Sequence, residues 1–154
     1  MQRSVAAMVL LLAVVIVAAC ADNSIDTRVE PQSGSSLTFP VELTDARIQA
    51  GESLYADNCS ACHGPVNGPT VLDSAPIHSD AGHTWHHPDR LLRQWILDKP
   101  PLATLMPAFR GTLSDEQVMQ VLAYIKSQWL PEIQTRQNEV SVQYEVQVVE
   151  FGTK

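Results

Sequence analysis

The residues with the clearest chemical capability are two cysteines and a histidine in the stretch CSACH at 59–63. Two thiols separated by two residues can form a redox dithiol, half of a zinc site, or the anchor of a covalently held cofactor. A thioredoxin-like dithiol is expected near a βαβ pattern, with its first cysteine at the start of a helix. Cys59 instead follows a helical pattern and precedes a loop rich in glycine and proline, which argues against a dithiol oxidoreductase.

The first twenty residues predict export from the cytoplasm. Arg3 gives a short positive start, and residues 5–19 form an apolar run. This run of about 15 residues is shorter than the roughly 20 needed to span a bilayer. It ends in VAAC, which resembles the lipobox of bacterial lipoproteins. We therefore expect residues 1–19 to be a signal peptide and Cys20 to carry a diacylglyceryl anchor. Ordinary signal cleavage and an uncleaved anchor are the alternatives, and all three place the protein outside the cytoplasm, on the periplasmic or cell-surface side of a bacterial membrane.

Composition limits the classes of partner and of metal site. The 154 residues suffice for one domain with extensions, and the hydrophobic fraction of 45% predicts a folded core. The formal charge of −7 argues against nucleic acid as a partner. The chain has three cysteines, so lipidation of Cys20 leaves one pair, which excludes a four-cysteine zinc site within one chain.

The residue after the second cysteine points to a specific cofactor. Cys-x-x-Cys-His is the attachment motif of c-type haem, in which each thiol adds to one vinyl group and the adjacent histidine reaches the iron. We therefore expect Cys59 and Cys62 to anchor one haem, with His63 beside the iron. A disulfide or free thiols with an incidental histidine is the alternative.

Haem iron has a second axial position, for which methionine is a suitable ligand in an electron carrier. Of the four methionines, Met1 and Met8 belong to the signal peptide. Met119 falls within a helical pattern, where packing is the simpler role. Met106 lies in a loop whose prolines restrict the backbone, and it is the candidate ligand.

Three helices are predicted around these residues. The first begins at Thr44 and runs into the cysteine motif, the second follows Pro88, and the third begins with a capping box of Ser114 and Gln117. They define a domain at 43–130. Residues 20–42 are expected to be a membrane tether, or alternatively an extension that docks on the domain through Leu37, Phe39 and Val41.

Three stretches resemble the class I c-type cytochromes with one haem: GESLYADNCSACHG at 51–64, LMPAF at 105–109 and LSDEQVMQVLAYIKSQW at 113–129. The resemblance covers roughly residues 43–129. It implies a small all-α cytochrome c fold, with three main helices packed around the haem. It also implies that His63 is the proximal ligand and Met106 the distal one.

The resemblance further implies that the first and last helices cross, with Gly51 and Tyr55 lying against Val121 and Tyr124. The function implied is electron transfer between redox partner proteins through one covalent haem c, without transformation of a substrate. The alternative is a sensor or metal-handling module that uses the loop from His78 to His87.

That loop carries more histidines than a single-haem carrier needs: His78, His83, His86 and His87. They can line the haem edge together with Trp85, or be exposed without a role. The third interpretation is a copper or zinc site formed by His83, His86 and His87, or replacement of Met106 by a histidine.

The C-terminal extension at 131–154 contains apolar residues at alternate positions from Val142 to Val148. Strict alternation favours a β-strand. Such a strand would pair with the segment at 37–41 or with a second chain, or would remain unpaired. Residues 131–139 could form another helical turn or two, and an ordered tail packed on the domain is the alternative to a docking strand.

Overall fold

The computed structural model describes residues 37–152, and these residues form helices without a β-strand. The five α-helices are α1 (Asp45–Asn58), α2 (Ser60–His63), α3 (Asp89–Asp98), α4 (Asp115–Ser127) and α5 (Pro131–Phe151), and one 3-10 helix spans Thr84–His86. The predicted all-α fold is thereby confirmed. The predicted signal peptide, Cys20 and most of the predicted tether lie outside the described residues. Between residues 37 and 152, no helix has both the length and the apolar character needed to cross a membrane.

Helix α1 begins where its capping residue predicts. The Thr44 hydroxyl accepts a hydrogen bond from the Arg47 amide at 3.3 Å, which satisfies one of the free amides of the first turn. The helix ends at Asn58, and the amide of Cys59 still donates to the Tyr55 carbonyl at 2.9 Å. The cysteine motif is therefore continuous with α1.

Helices α1 and α4 cross at Gly51, as the resemblance implied. A Cβ at this position would overlap the carbonyl oxygen of Gln120 and lie 2.9 Å from the Cβ of Tyr124. Only glycine permits this approach of two backbones. One turn later, the Tyr55 ring lies 5.5 Å from the ring of Tyr124.

Helix α4 supplies the centre of the core. Its capping box is formed, with the Gln117 amide donating to the Ser114 hydroxyl at 3.2 Å and the Ser114 amide donating to the Gln117 side chain at 2.8 Å. The apolar residues that recur at helical spacing on one face of α4 and just beyond its end are at most 3% exposed: Val118, Val121, Leu122, Ile125 and Trp129. Met119 is also buried, at 1% exposure, so it packs in the core as predicted.

Helix α3 packs on α4 through Leu92 and Leu97. Pro88 is its N-cap, and the first helical residue is Asp89. The helix thus follows Pro88, as predicted. The helix ends at Asp98, and Lys99 takes a positive φ of 77° before the two prolines that follow.

The N-terminal end of the described chain packs on the domain rather than extending from it. Val41 is 3% exposed, and Leu37 and Phe39 contact the same core cluster. The Val41 amide donates to the Asp89 carboxylate at 2.7 Å. This agrees with the docking alternative for residues 37–41, which make these contacts without forming a strand.

The prediction of a strand at 142–148 is wrong, because these residues lie within α5. The physical reason is that α5 is apolar on two opposite sides. Val140, Tyr144 and Val148 follow one another every four residues and are half-buried on the domain side. Val142 and Val146 form a second row, two residues out of step, on the exposed side. Two rows offset by two residues give an alternation that is indistinguishable from that of a strand.

A buried ion pair joins α3 and α4. Asp89 and Lys126 are both 0% exposed, and the Lys126 ammonium donates to the Asp89 carboxylate at 2.6 Å. Burial lowers the pKa of Lys126, and the neighbouring Asp89 opposes that shift. The pair is stabilising only with its hydrogen bonds complete, because a desolvated charge without a partner is costly.

The same carboxylate attaches α5 to the domain. The Gln137 amide group donates to Asp89 at 2.7 Å, and the Asp89 amide donates to the Ser141 hydroxyl at 3.0 Å. Outside this buried network, the Arg90 guanidinium donates two hydrogen bonds to Glu145, at 2.8 and 2.5 Å. Helix α5 is therefore a fixed element of the domain.

We expect Gly51→Ala to lower the free energy of unfolding by about 1–3 kcal/mol or more, because the added methyl group meets the backbone of α4. Guanidinium unfolding of the haem-loaded protein measures this change. Ser53→Ala, at an exposed position of the same helix, is the control and should change stability by less than about 0.5 kcal/mol. Equal stabilities of the two variants would contradict the close crossing.

Lys126→Met should cost about 3–5 kcal/mol of unfolding free energy, because it leaves the Asp89 carboxylate buried without its cation. Lys99→Met, at an exposed lysine, is the matched control. The double variant Lys126→Met with Asp89→Asn should recover part of the loss in the same denaturation experiment. A loss below about 1 kcal/mol for Lys126→Met alone would show that the pair is not closed in solution.

Candidate haem-binding site

One helical turn places the motif residues. The amides of Cys62 and His63 both donate to the Cys59 carbonyl, at 3.1 and 3.0 Å. Residues three and four apart in a helical turn lie on the same side, so both thiols and the imidazole project from one side of α2. Cys59 is half-buried, Cys62 is exposed, and His63 is 9% exposed.

The His63 ring is oriented as a metal ligand would be. Its Nδ1 lies 3.0 Å from the Pro76 carbonyl oxygen, which can only accept, so Nδ1 carries the proton and donates. A histidine that donates from one nitrogen to a carbonyl presents the other nitrogen with its lone pair free. Within residues 37–152, Nε2 of His63 makes no hydrogen bond, and it is the atom available to iron.

The loop after His63 is fixed by contacts with α1 and with the motif itself. Gly64 has a φ of 65°, and a Cβ there would overlap the carbonyl oxygen of Pro69. The Tyr55 hydroxyl donates to the Gly64 carbonyl at 3.0 Å, and burial raises the pKa of Tyr55, which keeps the phenol a donor. The amides of Val71 and Leu72 donate to the Cys62 carbonyl. The chain therefore folds back over the motif and is held there by these hydrogen bonds.

The thiol chemistry of Cys59 does not suit a redox dithiol. Burial raises the pKa of the Cys59 thiol to about 11, and the neighbouring Cys62 contributes to the rise. A nucleophilic cysteine needs a lowered pKa, because the thiolate is the reactive form. The raised pKa therefore makes Cys59 a poor nucleophile for thiol–disulfide exchange.

Met106 lies in the irregular loop between α3 and α4, and it is half-buried. The end of this loop is tied to α3, because the amides of Phe109 and Arg110 donate to the carbonyls of Ile96 and Leu97 at 3.1 and 2.9 Å. The loop is thus anchored near the candidate ligand. Of the two methionines in the described residues, Met119 is buried in the core and Met106 lies in a loop, so Met106 stays the predicted iron ligand.

The residues present fit a covalent haem. The donor set of two thiols, one imidazole and one thioether is the set that haem c takes. The loop after α2 and the loop that carries Met106 also expose large apolar side chains: Val71 is 70% exposed, Ile77 41%, Leu102 95% and Leu105 65%. Exposed apolar side chains in these two loops offer a surface to an apolar group, and a porphyrin is such a group.

His78 is the histidine that sequence reasoning did not single out from its loop. Its ring stacks on that of His63 with centroids 4.3 Å apart, and its Nδ1 lies 2.7 Å from the Thr84 hydroxyl. Burial lowers the pKa of His78 to about 3, with His63 as the second cause. Residue type and spacing do not distinguish His78 from the other loop histidines; its position becomes evident only when the loop is folded.

The other three histidines pack against one another and against tryptophan rings. The rings of His83 and His86 lie 4.5 Å apart, and Trp85 stacks on His86 at 3.6 Å. His87 packs edge-on against Trp95 at 4.7 Å. In the part of the chain that the structure describes, no group of three metal-ligating side chains is arranged to hold an ion. The copper or zinc interpretation of this loop therefore finds no support there.

Comparison with known proteins identifies the domain. Residues 46–125 match the family described as cytochrome c oxidase, cbb3-type, subunit III. Cytochrome c6 of Euglena gracilis is 33% identical over 86 residues, which cover 51% of this chain and 88% of that protein. Cytochrome c6 of Thermosynechococcus vestitus is 32% identical over 99 residues, covering 60% of this chain and 84% of that protein. No solved structure matches the chain significantly.

A much longer relative carries a similar segment. One of the subunits of nicotinate dehydrogenase from Pseudomonas putida is 32% identical over 108 residues, which cover 63% of this chain but 9% of that protein. The chain therefore spans only a small part of that relative's length.

Replacing Met106 with alanine should abolish the weak near-infrared sulfur-to-iron band of the oxidised, haem-loaded protein, because the thioether is then missing. Met119→Leu, which keeps the core volume, is the matched control and should retain the band. An unchanged band in Met106→Ala would assign the sixth ligand to another side chain, and Met106→Ala combined with His78→Ala would then identify or exclude His78.

Proposed function

This chain belongs to the c-type cytochrome family whose description is cytochrome c oxidase, cbb3-type, subunit III, and we propose that it carries single electrons between proteins outside the cytoplasm. Its activity is electron transfer through one covalent haem c, and it is not an enzyme that transforms a substrate. The observation that carries the proposal is the turn at 59–63, in which Pro76 holds His63 with Nε2 free beside two thiols.

Each candidate residue has a separate task in this proposal. Cys59 and Cys62 hold the haem through thioether bonds, His63 is the proximal ligand and Met106 the distal one. Haem iron so held accepts and releases one electron, and a methionine and histidine pair raises its reduction potential. With His63 and Met106 both as ligands, the chain would leave no open site on the iron for a small molecule. This is the property that separates a carrier from a haem sensor or peroxidase.

The surroundings of His63 support its role. The Pro76 carbonyl fixes the tautomer, and a hydrogen bond of this kind holds a ligand in orientation and raises its basicity. Tyr55 and Trp129 surround the same region, because Tyr55 donates to Gly64 and the Trp129 indole donates to the His78 carbonyl at 2.6 Å. These contacts would restrict movement of the His63 ring when it serves as the iron ligand.

We propose an oxidoreductase as the electron donor. Similar segments occur within the nicotinate dehydrogenase protein described above and within quinohemoprotein alcohol dehydrogenase ADH IIB, both of Pseudomonas putida, and the latter is 32% identical over 90 residues. Each segment there is a minor part of a longer protein. In this proposal the present chain accepts electrons from a separate enzyme. Lipidation at Cys20 would hold it at the same membrane surface as that donor, as the sequence of the first twenty residues suggests.

Haem content is the direct test. A pyridine haemochrome assay of the exported protein should give one c-type haem per chain, and denaturing electrophoresis with haem staining should show it to be covalent. Cys59→Ser with Cys62→Ser should lose all covalent haem, because both thioether bonds are removed.

Cys20→Ser is the matched control for these cysteine replacements and should retain a full complement of haem. The reduced protein should also bind carbon monoxide slowly and weakly. Absence of covalent haem in the wild-type protein would refute the assignment, and rapid stoichiometric carbon monoxide binding would favour a sensor with an open iron site.

A further inference from the structure

Helix α5 presents an apolar row to solvent on the side opposite the domain. Val142, Val146 and Val149 are spaced by four and three residues, so they lie along one side of the helix. Their exposed fractions are 49%, 51% and 85%. Valine is a weaker helix former than alanine, leucine or glutamine. These residues therefore neither favour the helix nor contribute to the described core. We call them the valine stripe.

The inward side of α5 carries the contacts that hold it on the domain. Gln137 and Ser141 are 0% exposed and bond to Asp89, and Glu145 bonds to Arg90. The helix is thus held in one rotational setting, with the valine stripe facing outward. It also lies beyond the segment that matches the cytochrome family, which ends at residue 125. The stripe is an addition to the haem domain and not part of its core.

Charges beside the stripe indicate what kind of surface it fits. On the exposed side, Glu139 and Glu150 flank the valines, and Arg136 is the one basic residue in the helix. The whole chain carries a formal charge of −7. Pairing two copies antiparallel along this stripe would bring the glutamates of one copy toward those of the other, which like charges oppose. Anionic lipid headgroups would be repelled in the same way.

We propose that the valine stripe is the docking surface for a redox partner protein whose complementary groove is apolar and bordered by Lys or Arg side chains. The inference rests on the proposed electron-transfer function and names the surface by which that partner binds. Apolar burial supplies the affinity, and the surrounding opposite charges supply orientation and rate of encounter.

The test compares two routes of electron delivery to the oxidised, haem-loaded full chain. In one, the donor is a membrane fraction of the producing organism supplied with its respiratory substrates; in the other, it is ascorbate, which needs no docking. The triple variant Val142→Ser, Val146→Ser and Val149→Ser should be reduced by membranes at least about tenfold more slowly than wild type, as expected when the apolar contact that supplies affinity is lost. Its reduction by ascorbate and its circular dichroism should be unchanged.

The control variant is Gln143→Ser with Gln147→Ser, two exposed positions on the same helix outside the stripe, and it should behave as wild type. Glu139→Lys with Glu150→Lys should also slow reduction by membranes, because it inverts the charge that the partner meets.

Three results would overturn the docking surface. They are equal membrane rates for the triple variant and wild type, a wild-type dimer in sedimentation that the triple variant loses, and stripe-dependent binding of the wild type to protein-free phosphatidylcholine vesicles. If the wild type took electrons from neither the membranes nor ascorbate, the proposed function itself would be refuted.

Discussion

The fold depends on the contact between α1 and α4 at Gly51, where a backbone carbonyl of α4 occupies the space of a side chain. This contact fixes the direction in which α1 ends, and the cysteine motif begins at that end. Cys59 joins α1 to α2, because its amide closes the last turn of α1 and its carbonyl accepts from the amides of Cys62 and His63. The position of the candidate iron ligand is therefore set by a glycine that precedes the motif in the same helix.

A second constraint is the Asp89 carboxylate, which joins parts of the chain that are distant in sequence. It accepts hydrogen bonds from the Val41 amide, from Lys126 of α4 and from Gln137 of α5. A buried carboxylate needs several donors to offset its lost hydration. In the sequence, Val41 precedes the haem domain, Lys126 lies within it and Gln137 follows it. The segment at 37–41 and helix α5 therefore share one buried group, in addition to the apolar contacts of Leu37 and Phe39 and the Arg90–Glu145 pair.

The sequence predicted helices α1, α3 and α4, because a helix start is set by residues within one turn of each other. Thr44 and the pair of Ser114 and Gln117 cap helices within one turn, and both caps are formed. The stacking of His78 on His63 was not predictable in this way, because it arises from how the loop folds back. The strand at 142–148 was misassigned for a different reason. Alternation does not distinguish one face of a strand from two opposite sides of a helix.

The two-sided character of α5 also relates the docking surface to the haem site. Trp129 lies between α4 and α5, and its indole donates to the carbonyl of His78, whose ring stacks on His63. A protein bound to the outward side of α5 would thus be held against an element fixed to the surroundings of the iron ligand. Electron transfer slows steeply with the distance between redox centres. A carrier therefore transfers electrons faster when its partner always binds with the two redox centres at the same short distance. A rigid helix would keep that distance fixed, whereas a flexible tail with the same three valines would bind the partner without fixing it.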